Sequence, residues 1–218
     1  MKDMMLIENM FSVKDRIVLV TGCGGVATAN ARCFAKNGAT VIMASRRMEK
    51  VAEVQKLLAG EGLTIDGIQM DISCHEDIIE KVAQVAAKYG RIDVLIHTAA
   101  TCHVENTLTF REEEIRKTFE TNLLGTIFLN QEVGKVMVSH GFGRIINYNS
   151  IDAFSVNAND AMAYAVSKSG VQQATRFFAV EMAPKGVTVN GIAPVWINTP
   201  MMAQRPKSYL DAAIAQVP

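Results

Sequence analysis

The chain has 218 residues, of which 49% are hydrophobic and 20% are charged. That length fits one large domain, and the composition supplies enough apolar surface for a core and excludes an intrinsically disordered chain. Lys and Arg together number 22, as do Asp and Glu, so the balanced charge favours neither nucleic acid nor an anionic membrane surface as a partner.

No apolar run approaches the roughly 20 residues that a membrane-spanning helix needs. The start, MKDMMLIENMF, has neither a sustained apolar stretch nor a small-residue cleavage site, so no signal peptide is predicted. The cysteines lie far apart without CxxC spacing, which favours free thiols over disulfides or a metal site: Cys23, Cys33, Cys74 and Cys102. A cytoplasmic protein without a bound metal is expected.

Short β-branched runs alternate with longer helical segments along the chain. The predicted strands are 16–20, 40–45, 65–70, 92–98, 144–150 and 187–193, and the predicted helices cover about 26–37, 48–59, 75–89, 111–139 and 160–183. The strands are near-continuous apolar runs, which is typical of a parallel sheet covered by helices on both faces. The pattern predicts one α/β domain with a doubly wound parallel sheet in the order 3-2-1-4-5-6. Its ligand crevice would lie beyond the carboxyl ends of strands one and four.

The first predicted strand runs into TGCGGVATA, residues 21–29, where a dinucleotide-binding turn belongs. Such a turn presents the backbone N–H groups of a helix start to a phosphate. The usual three spaced glycines are not all present. The stretch alone therefore leaves open whether a dinucleotide still binds.

The stretch YAVSK places Tyr164 and Lys168 four residues apart on a predicted helix, where they share one face. An ammonium group beside a phenol stabilises the phenolate and lowers the tyrosine pKa, which suits general acid/base chemistry on an alcohol or ketone oxygen. The spacing also occurs by chance in amphipathic surface helices. Taken alone, the pair leaves both interpretations open.

Several further stretches occur together with YAVSK in a fixed order. They are TGCGGVA (21–27), MDI (70–72), HTAA (97–100), TNLLGT (121–126), GRIINYNS (143–150) and VNGIAPVWINTPM (189–201). With these motifs the chain resembles the short-chain dehydrogenase/reductase family over essentially its whole length. The resemblance implies a Rossmann fold and a hydride transfer between a nicotinamide cofactor and a secondary alcohol or ketone.

The resemblance assigns roles to four residues. Tyr164 matches the catalytic acid/base, and Lys168 matches the residue that lowers the tyrosine pKa and holds the nicotinamide ribose hydroxyls. Ser150 matches the hydroxyl that bonds the substrate oxygen, although it stands fourteen residues before the tyrosine and not the more usual thirteen. Asn122 matches the helix residue whose backbone positions a water in the proton relay. Because all four are present, an active enzyme is favoured over a retained scaffold.

Compared with the family pattern T-G-x-x-x-G-I/L-G, the glycine loop is one residue shorter. Gly22 keeps the tight turn, Gly25 supplies the close backbone approach, and the third glycine is replaced by Ala27. The third position serves helix–strand packing, which an alanine methyl perturbs little. HTAA in place of N-N-A-G, and Val195 in place of the glycine after Pro194, are further departures. The loop is expected to bind a cofactor with altered affinity.

The cofactor preference is predicted from the end of the second strand. An acidic residue there would bond the ribose 2′-OH of NAD, whereas this chain has Ser45 followed by Arg46 and Arg47. Two guanidinium groups suit a 2′-phosphate, so NADP is favoured over NAD. The alternative is that the two arginines belong to a solvated basic turn that does not bind a cofactor.

The resemblance extends the cofactor site to other positions. Asp71, with the Ile72 backbone beside it, matches the contact to the adenine amino group, and Thr199 matches the contact to the nicotinamide carboxamide. The remaining implied contacts are Val26, Ala99, Pro194 and Ile197.

The histidines near the predicted crevice do not have metal-ligand spacing. His97 takes the place of a structural Asn, and no metal partner stands at helical or hairpin spacing from it or from His103. Trp196, Met201 and Met202 stand where the family's substrate loop begins, and either line an apolar pocket or only pack.

The sequence therefore predicts an NADP-dependent oxidoreductase acting on a small alcohol or ketone, of sugar-acid, steroid or acyl type. The alternative is a cofactor-binding scaffold or regulatory protein with little turnover, which the altered loop and HTAA suggest.

The chain stops at Pro218, where family members continue with another helix and a seventh strand. An incomplete chain is expected on this ground, with 187–193 as an apolar sheet edge. The resemblance implies a homodimer through the surfaces of helices 111–139 and 160–183, and a homotetramer that needs the missing tail.

Overall fold

The computed structural model describes residues 11–157, 160–197, 199 and 207–215. In this part of the chain six parallel strands form one sheet: β1 (Ile17–Thr21), β2 (Thr40–Ser45), β3 (Asp66–Gln69), β4 (Val94–His97), β5 (Gly143–Tyr148) and β6 (Val187–Ile192). Their order across the sheet is β3-β2-β1-β4-β5-β6. The predicted doubly wound sheet is confirmed, with strand bounds that differ from the prediction by at most two residues.

The helices connect and cover these strands. They are α1 (Gly25–Lys36), α2 (Met48–Ala59), α3 (His75–Tyr89), α4 (Glu112–Phe119), α5 (Gly125–Ser139), α6 (Met162–Met182) and α7 (Lys207–Ile214). The first six match the five predicted helical segments, with α1 beginning one residue earlier than predicted, and the short α7 was not predicted.

Alternate residues of the strands point to opposite faces of the sheet, so the chain forms two apolar clusters. On one face Leu19 and Leu95 pack with residues of α3 and α5, including Ile78 and Leu129. On the other face Val18, Val20 and Met43 pack with α1 and α2. Because both faces are covered, the strands must be apolar along their whole length, which is the pattern in the sequence.

The predicted helix 111–139 is interrupted by a π-helical turn at Glu120–Leu124. Such turns are common at functional sites, since one extra residue changes the direction of a side chain. Here the turn holds Asn122, whose side chain bonds the backbone of Thr101 in both directions. Just after it, α5 comes so close to the end of β3 that a Cβ atom on Gly125 would overlap the carbonyl of Ile72. The interruption therefore follows from tertiary contacts.

The register of the sheet brings four strand ends to one edge. Thr21 at the end of β1 pairs with Ala44 in β2 and with His97 in β4, and His97 pairs with Asn147 in β5. Residues that follow these ends therefore meet at one place.

Candidate active site

A cavity of about 450 Å³ lies at this carboxyl edge. It extends from the turn after β2 to the segment after β6, past the ends of β1, β4 and β5. Most of the predicted site residues line it: Gly22, Gly25, Val26, Ser45, Arg46, Arg47, Ile72, Ala99, Ser150, Tyr164, Lys168, Pro194, Ile197 and Thr199. The structure thus brings together residues that are up to 177 positions apart in the sequence, from Gly22 to Thr199.

The glycine loop forms one wall of this cavity. Gly22 has a φ of +92°, which side chains rarely adopt, and its N–H donates to Ala44 O at 2.8 Å. The helix α1 begins at Gly25, so the unpaired N–H groups of its first turn lie beside the cavity. Ala27 is fully buried in the apolar cluster under the sheet. An alanine therefore does the packing expected at the third position of the loop.

Tyr164 and Lys168 lie one turn apart on α6, with the Lys168 Nζ atom 5.6 Å from the centre of the Tyr164 ring. Lys168 is buried and donates to Tyr148 O at 2.6 Å. Burial lowers the pKa of Lys168 to about 8. Burial also raises the pKa of Tyr164 to about 12, and the neighbouring Ser150 hydroxyl only partly opposes this rise.

The sequence prediction that Lys168 lowers the pKa of Tyr164 differs in direction from the structure. The loss of water around the phenol is the largest cause of the raised pKa, and Lys168 directs one of its ammonium protons at the Tyr148 carbonyl. Tyr164 therefore holds its proton at neutral pH.

Ser150 lies two residues after the end of β5 and caps the short 3-10 turn Ile151–Ala153. Its Oγ atom accepts from the Asp152 N–H at 3.2 Å and donates to Asp152 Oδ2 at 3.1 Å. The backbone of the next residue, Ile151, donates to Pro194 O at 3.0 Å. These contacts join the serine to the segment after β6, on the side of the cavity where Tyr164 lies.

Asn122 is fully buried and does not line the cavity. Its Nδ2 atom donates to Thr101 O at 2.8 Å and to Ser167 Oγ at 3.1 Å, and Ser167 Oγ donates to Tyr164 O at 2.7 Å. The side chain of Asn122 thus ties the loop after β4 to the first turns of α6.

His97 bridges β1 and α5. Its Nδ1 atom lies 2.7 Å from Thr21 Oγ1, and its Nε2 atom lies 2.9 Å from Thr126 Oγ1. Burial, helped by the charge of Lys168, lowers the pKa of His97 to about 3. His97 is therefore neutral at physiological pH and holds two hydroxyls in place, which agrees with its predicted structural role.

Asp71 is the other predicted residue that the structure does not bring to the cavity wall. Its Oδ1 atom accepts from the N–H and the hydroxyl of Ser73, at 2.9 and 2.6 Å, in a turn before α3. Its neighbours Met70 and Ile72 line the cavity. Met201 and Met202 lie outside the described residues, whereas Trp196 lines the cavity.

Sequence reasoning missed part of the wall. The missed residues are Cys23, Gly24, Ala44, Met70, Thr98, Ala100, Thr101, Cys102, Thr121, Tyr148, Asn149, Asp152, Ala161 and Val195. Many of them directly follow β1, β4 or β5, so the rule that ligands bind beyond strand ends could have identified them.

Two negative findings apply to the residues that the structure describes. No group of three or more His, Cys, Asp or Glu side chains there could hold a metal ion. No helix there is long and apolar enough to cross a membrane.

Comparisons with known proteins agree with this geometry. Residues 16–209 match the family model for the short chain dehydrogenases. The 3-oxoacyl-(acyl-carrier-protein) reductase FabG of Thermotoga maritima is 30% identical over 207 residues, which are 94% of this chain and 84% of that protein. The 2-dehydro-3-deoxy-D-gluconate 5-dehydrogenase of Bacillus subtilis is 34% identical over 194 residues, 88% of this chain and 75% of that protein.

A solved structure of an actinorhodin polyketide ketoreductase with NADPH superposes with a TM-score of 0.84 at 32% identity, covering 94% of this chain and 78% of that one. The chain therefore belongs to the short-chain dehydrogenase family. It is an NAD(P)-dependent oxidoreductase that acts on CH–OH or keto groups.

Proposed function

We propose that the protein is an NADP-dependent oxidoreductase that transfers a hydride between nicotinamide and a secondary alcohol or ketone, with Tyr164 as the acid/base. The observation that carries this proposal is the convergence of Ser150, Tyr164 and Lys168 on a cavity that also holds the glycine loop. The cradle fits a dinucleotide, since it combines the first N–H groups of α1 with a buried ammonium. When bound, the cofactor supplies or accepts the hydride.

The protein's own side chains then donate the proton and position the substrate and the cofactor. With a pKa of about 12, Tyr164 keeps its proton at neutral pH and donates it to the carbonyl oxygen of a ketone. Ser150 orients that oxygen, and Lys168 holds the ribose hydroxyls. Asn122 fixes the loop after β4 against α6, so that these groups keep their spacing. Oxidation of an alcohol needs the phenolate, so alkaline pH should favour that direction.

The choice of NADP depends on the turn after β2. Arg46 and Arg47 are exposed at one end of the cavity, and Ser45 stands where an acidic residue would bond the 2′-OH of NAD. Guanidinium groups bind phosphate through charge-assisted hydrogen bonds. The 2′-phosphate would lie between this pair and the glycine loop.

Replacing both Arg46 and Arg47 with Ala should remove the preference for NADP(H). Each charge-assisted bond contributes roughly 1.5–3 kcal/mol, and exposure reduces the sum, so the wild type should bind NADP(H) at least about tenfold more tightly than NAD(H). Calorimetric Kd values for both cofactors test this. The double variant Lys36→Ala/Lys56→Ala removes the same charge elsewhere on α1 and α2 and should keep the preference. Equal Kd values in the wild type would contradict the proposal.

A cofactor-binding scaffold with little turnover is the second candidate, favoured by the shortened loop and by HTAA at 97–100. Calorimetric binding of NADPH beside NADPH oxidation with a panel of ketones separates the two. Binding with turnover supports the enzyme, and binding without turnover by any ketone supports the scaffold.

The proposed substrate is a sugar-acid, steroid or acyl ketone or the corresponding alcohol. One relative named above is a gluconate-type dehydrogenase and another is a 3-oxoacyl reductase, which supports two of these classes. Trp196 and Val195 give the cavity an apolar wall that would suit the remaining class, a steroid. We further propose a cytoplasmic location, since all four cysteines are free thiols. We also propose that the protein has no nucleic-acid or membrane partner, which its balance of 22 basic and 22 acidic residues supports.

A homodimer or homotetramer is proposed from the outer surface of α6. Val166, Phe177 and Val180 are exposed there, and their spacing places them on one face, within about 60° around the helix axis. Tyr164 and Lys168 occupy the opposite face. An exposed apolar stripe of this kind marks an interaction surface.

Phe177→Glu should convert the protein to monomers because it places a charge in the middle of this stripe. Light scattering should give at least twice the mass of one chain for the wild type and a single chain for the variant. Leu57→Glu, a change at an exposed leucine of α2, is the control and should leave the mass unchanged. A wild-type monomer would contradict the dimer.

A further inference from the structure

Apart from the buried Lys168, the charged side chains on the cavity wall lie at two separate places. Arg46 and Arg47 follow β2, whereas Asp152 follows β5. Three strand spacings of about 4.8 Å separate β2 from β5, so Asp152 lies about 14 Å along the sheet edge from the arginine pair. Among the described lining residues Asp152 is the one carboxylate. The proposed function does not use it.

Asp152 lies beside the groups that are proposed to react. Its Oδ2 atom accepts from Ser150 Oγ at 3.1 Å, and its negative charge is one of the causes that raise the pKa of Tyr164. Its Oδ1 atom accepts from Asn157 Nδ2 at 3.0 Å, which fixes the carboxylate in this place. Trp196 also contributes to the cavity wall.

The carboxylate can accept further hydrogen bonds. It offers about four lone-pair positions, and the two bonds above use two of them. When Ser150 turns its one hydroxyl proton from Asp152 Oδ2 to a substrate carbonyl oxygen, that oxygen would lie within about 6 Å of Asp152 Oδ2, since Ser150 Oγ is about 3 Å from each. A hydroxyl on the carbon next to the carbonyl could therefore reach Oδ2. A substrate carboxylate at that carbon would meet a like charge, which opposes binding.

We propose that Asp152 determines substrate specificity: the site selects ketones that carry a hydrogen-bond donor, such as a hydroxyl, on the carbon next to the carbonyl, and rejects 2-oxo acids. This inference rests on the proposed function. It narrows the sugar-acid class to members whose carboxylate lies away from the reacting carbonyl. The competing role for Asp152 is positioning of Ser150 alone, without contact to the substrate.

A four-carbon series tests the inference: 1-hydroxy-2-butanone, 2-butanone and 2-oxobutanoate, each reduced with NADPH. In the wild type, kcat/KM should be highest for 1-hydroxy-2-butanone, lower for 2-butanone and lowest for 2-oxobutanoate. Asp152→Ala should lower the ratio of hydroxybutanone to butanone about tenfold. Asp152→Asn, which keeps the shape and a hydrogen bond to Ser150, should raise the ratio of oxobutanoate to butanone at least tenfold. Glu113→Gln, which neutralises an exposed carboxylate of α4, should change neither ratio.

The ratios separate specificity from positioning. If Asp152 only orients Ser150, its variants lose activity on all three ketones equally, and unchanged ratios overturn the inference.

A binding measurement distinguishes failure of this inference from failure of the proposed function. Trp196 is the single tryptophan of the chain, and it lines the cavity, so its fluorescence reports ligand binding without turnover. With NADP present, the wild type should bind hydroxybutanone more tightly than oxobutanoate, and Asp152→Ala should reduce this difference about tenfold. Equal affinities in the wild type overturn the inference even if ketones are reduced. If the two affinities differ as expected but no ketone is reduced, the result supports the selectivity of the site and contradicts only the proposed enzymatic function.

Discussion

Tyr164→Phe is expected to remove nearly all turnover while the fold and NADPH binding remain. The phenylalanine ring keeps the packing of the half-buried tyrosine on α6 but lacks the hydroxyl that exchanges the proton. General acid/base catalysis contributes about 10²–10⁴-fold to a rate, so kcat should fall by at least two orders of magnitude. That loss corresponds to roughly 2.7 kcal/mol or more of barrier.

The measurement is steady-state ketone reduction beside calorimetric binding of NADPH. Tyr89→Phe is the matched control because it removes the same hydroxyl from α3, far from the cavity wall, and it should retain wild-type turnover. If Tyr164→Phe kept more than about a tenth of the wild-type kcat, Tyr164 would not be the acid/base.

The parts of the molecule that the sequence predicts well are those governed by short-range patterns. The strands and their order follow from apolar runs such as 16–20 and 40–45, since a strand buried on both faces must be apolar throughout. Tyr164 and Lys168 share one face of α6 because helical spacing requires it. The arginines after β2 follow a strand end and therefore reach the crevice.

The parts that sequence reasoning missed depend on contacts between distant segments. The π-helical turn at Glu120–Leu124 occurs together with hydrogen bonds between Asn122 and Thr101, and the helical periodicity of the sequence does not reveal such long-range contacts. Asp71 turns away because Ser73 offers a hydrogen bond two residues on, a local competition that a family pattern does not express.

The direction of the Tyr164 pKa could not be predicted because two opposing effects act on the phenol. The sequence shows Lys168 one helical turn away, from which a lowered pKa is expected, but it does not show the loss of water, which raises the pKa. Only the folded chain shows that burial is the larger effect. Asp152 was missed for a similar reason, since its significance comes from the cavity it lines.

His97 should make the folded protein sensitive to acid. Its pKa is about 3 in the fold, chiefly because of burial, compared with 6.5 for an ordinary histidine. Since the folded-state pKa is lowered, the unfolded chain binds the proton more readily. The stability that neutral His97 contributes is therefore complete above about pH 6.5 and is lost progressively as the pH falls towards 3. Between pH 7.5 and pH 5 this one group should lower the free energy of unfolding by about 2 kcal/mol.

His97→Asn should flatten that pH dependence, because an amide can bond the Thr21 and Thr126 hydroxyls without titrating. Urea unfolding of both proteins at pH 7.5 and pH 5, at one chain concentration, measures the effect. The variant should lose some stability at pH 7.5, since a smaller side chain leaves space beside β1, but should fall by about 2 kcal/mol less than the wild type on acidification. His140→Asn, at an exposed histidine after α5, should keep the wild-type slope. Parallel profiles for wild type and His97→Asn would show that His97 is not held neutral by its burial between Thr21 and Thr126.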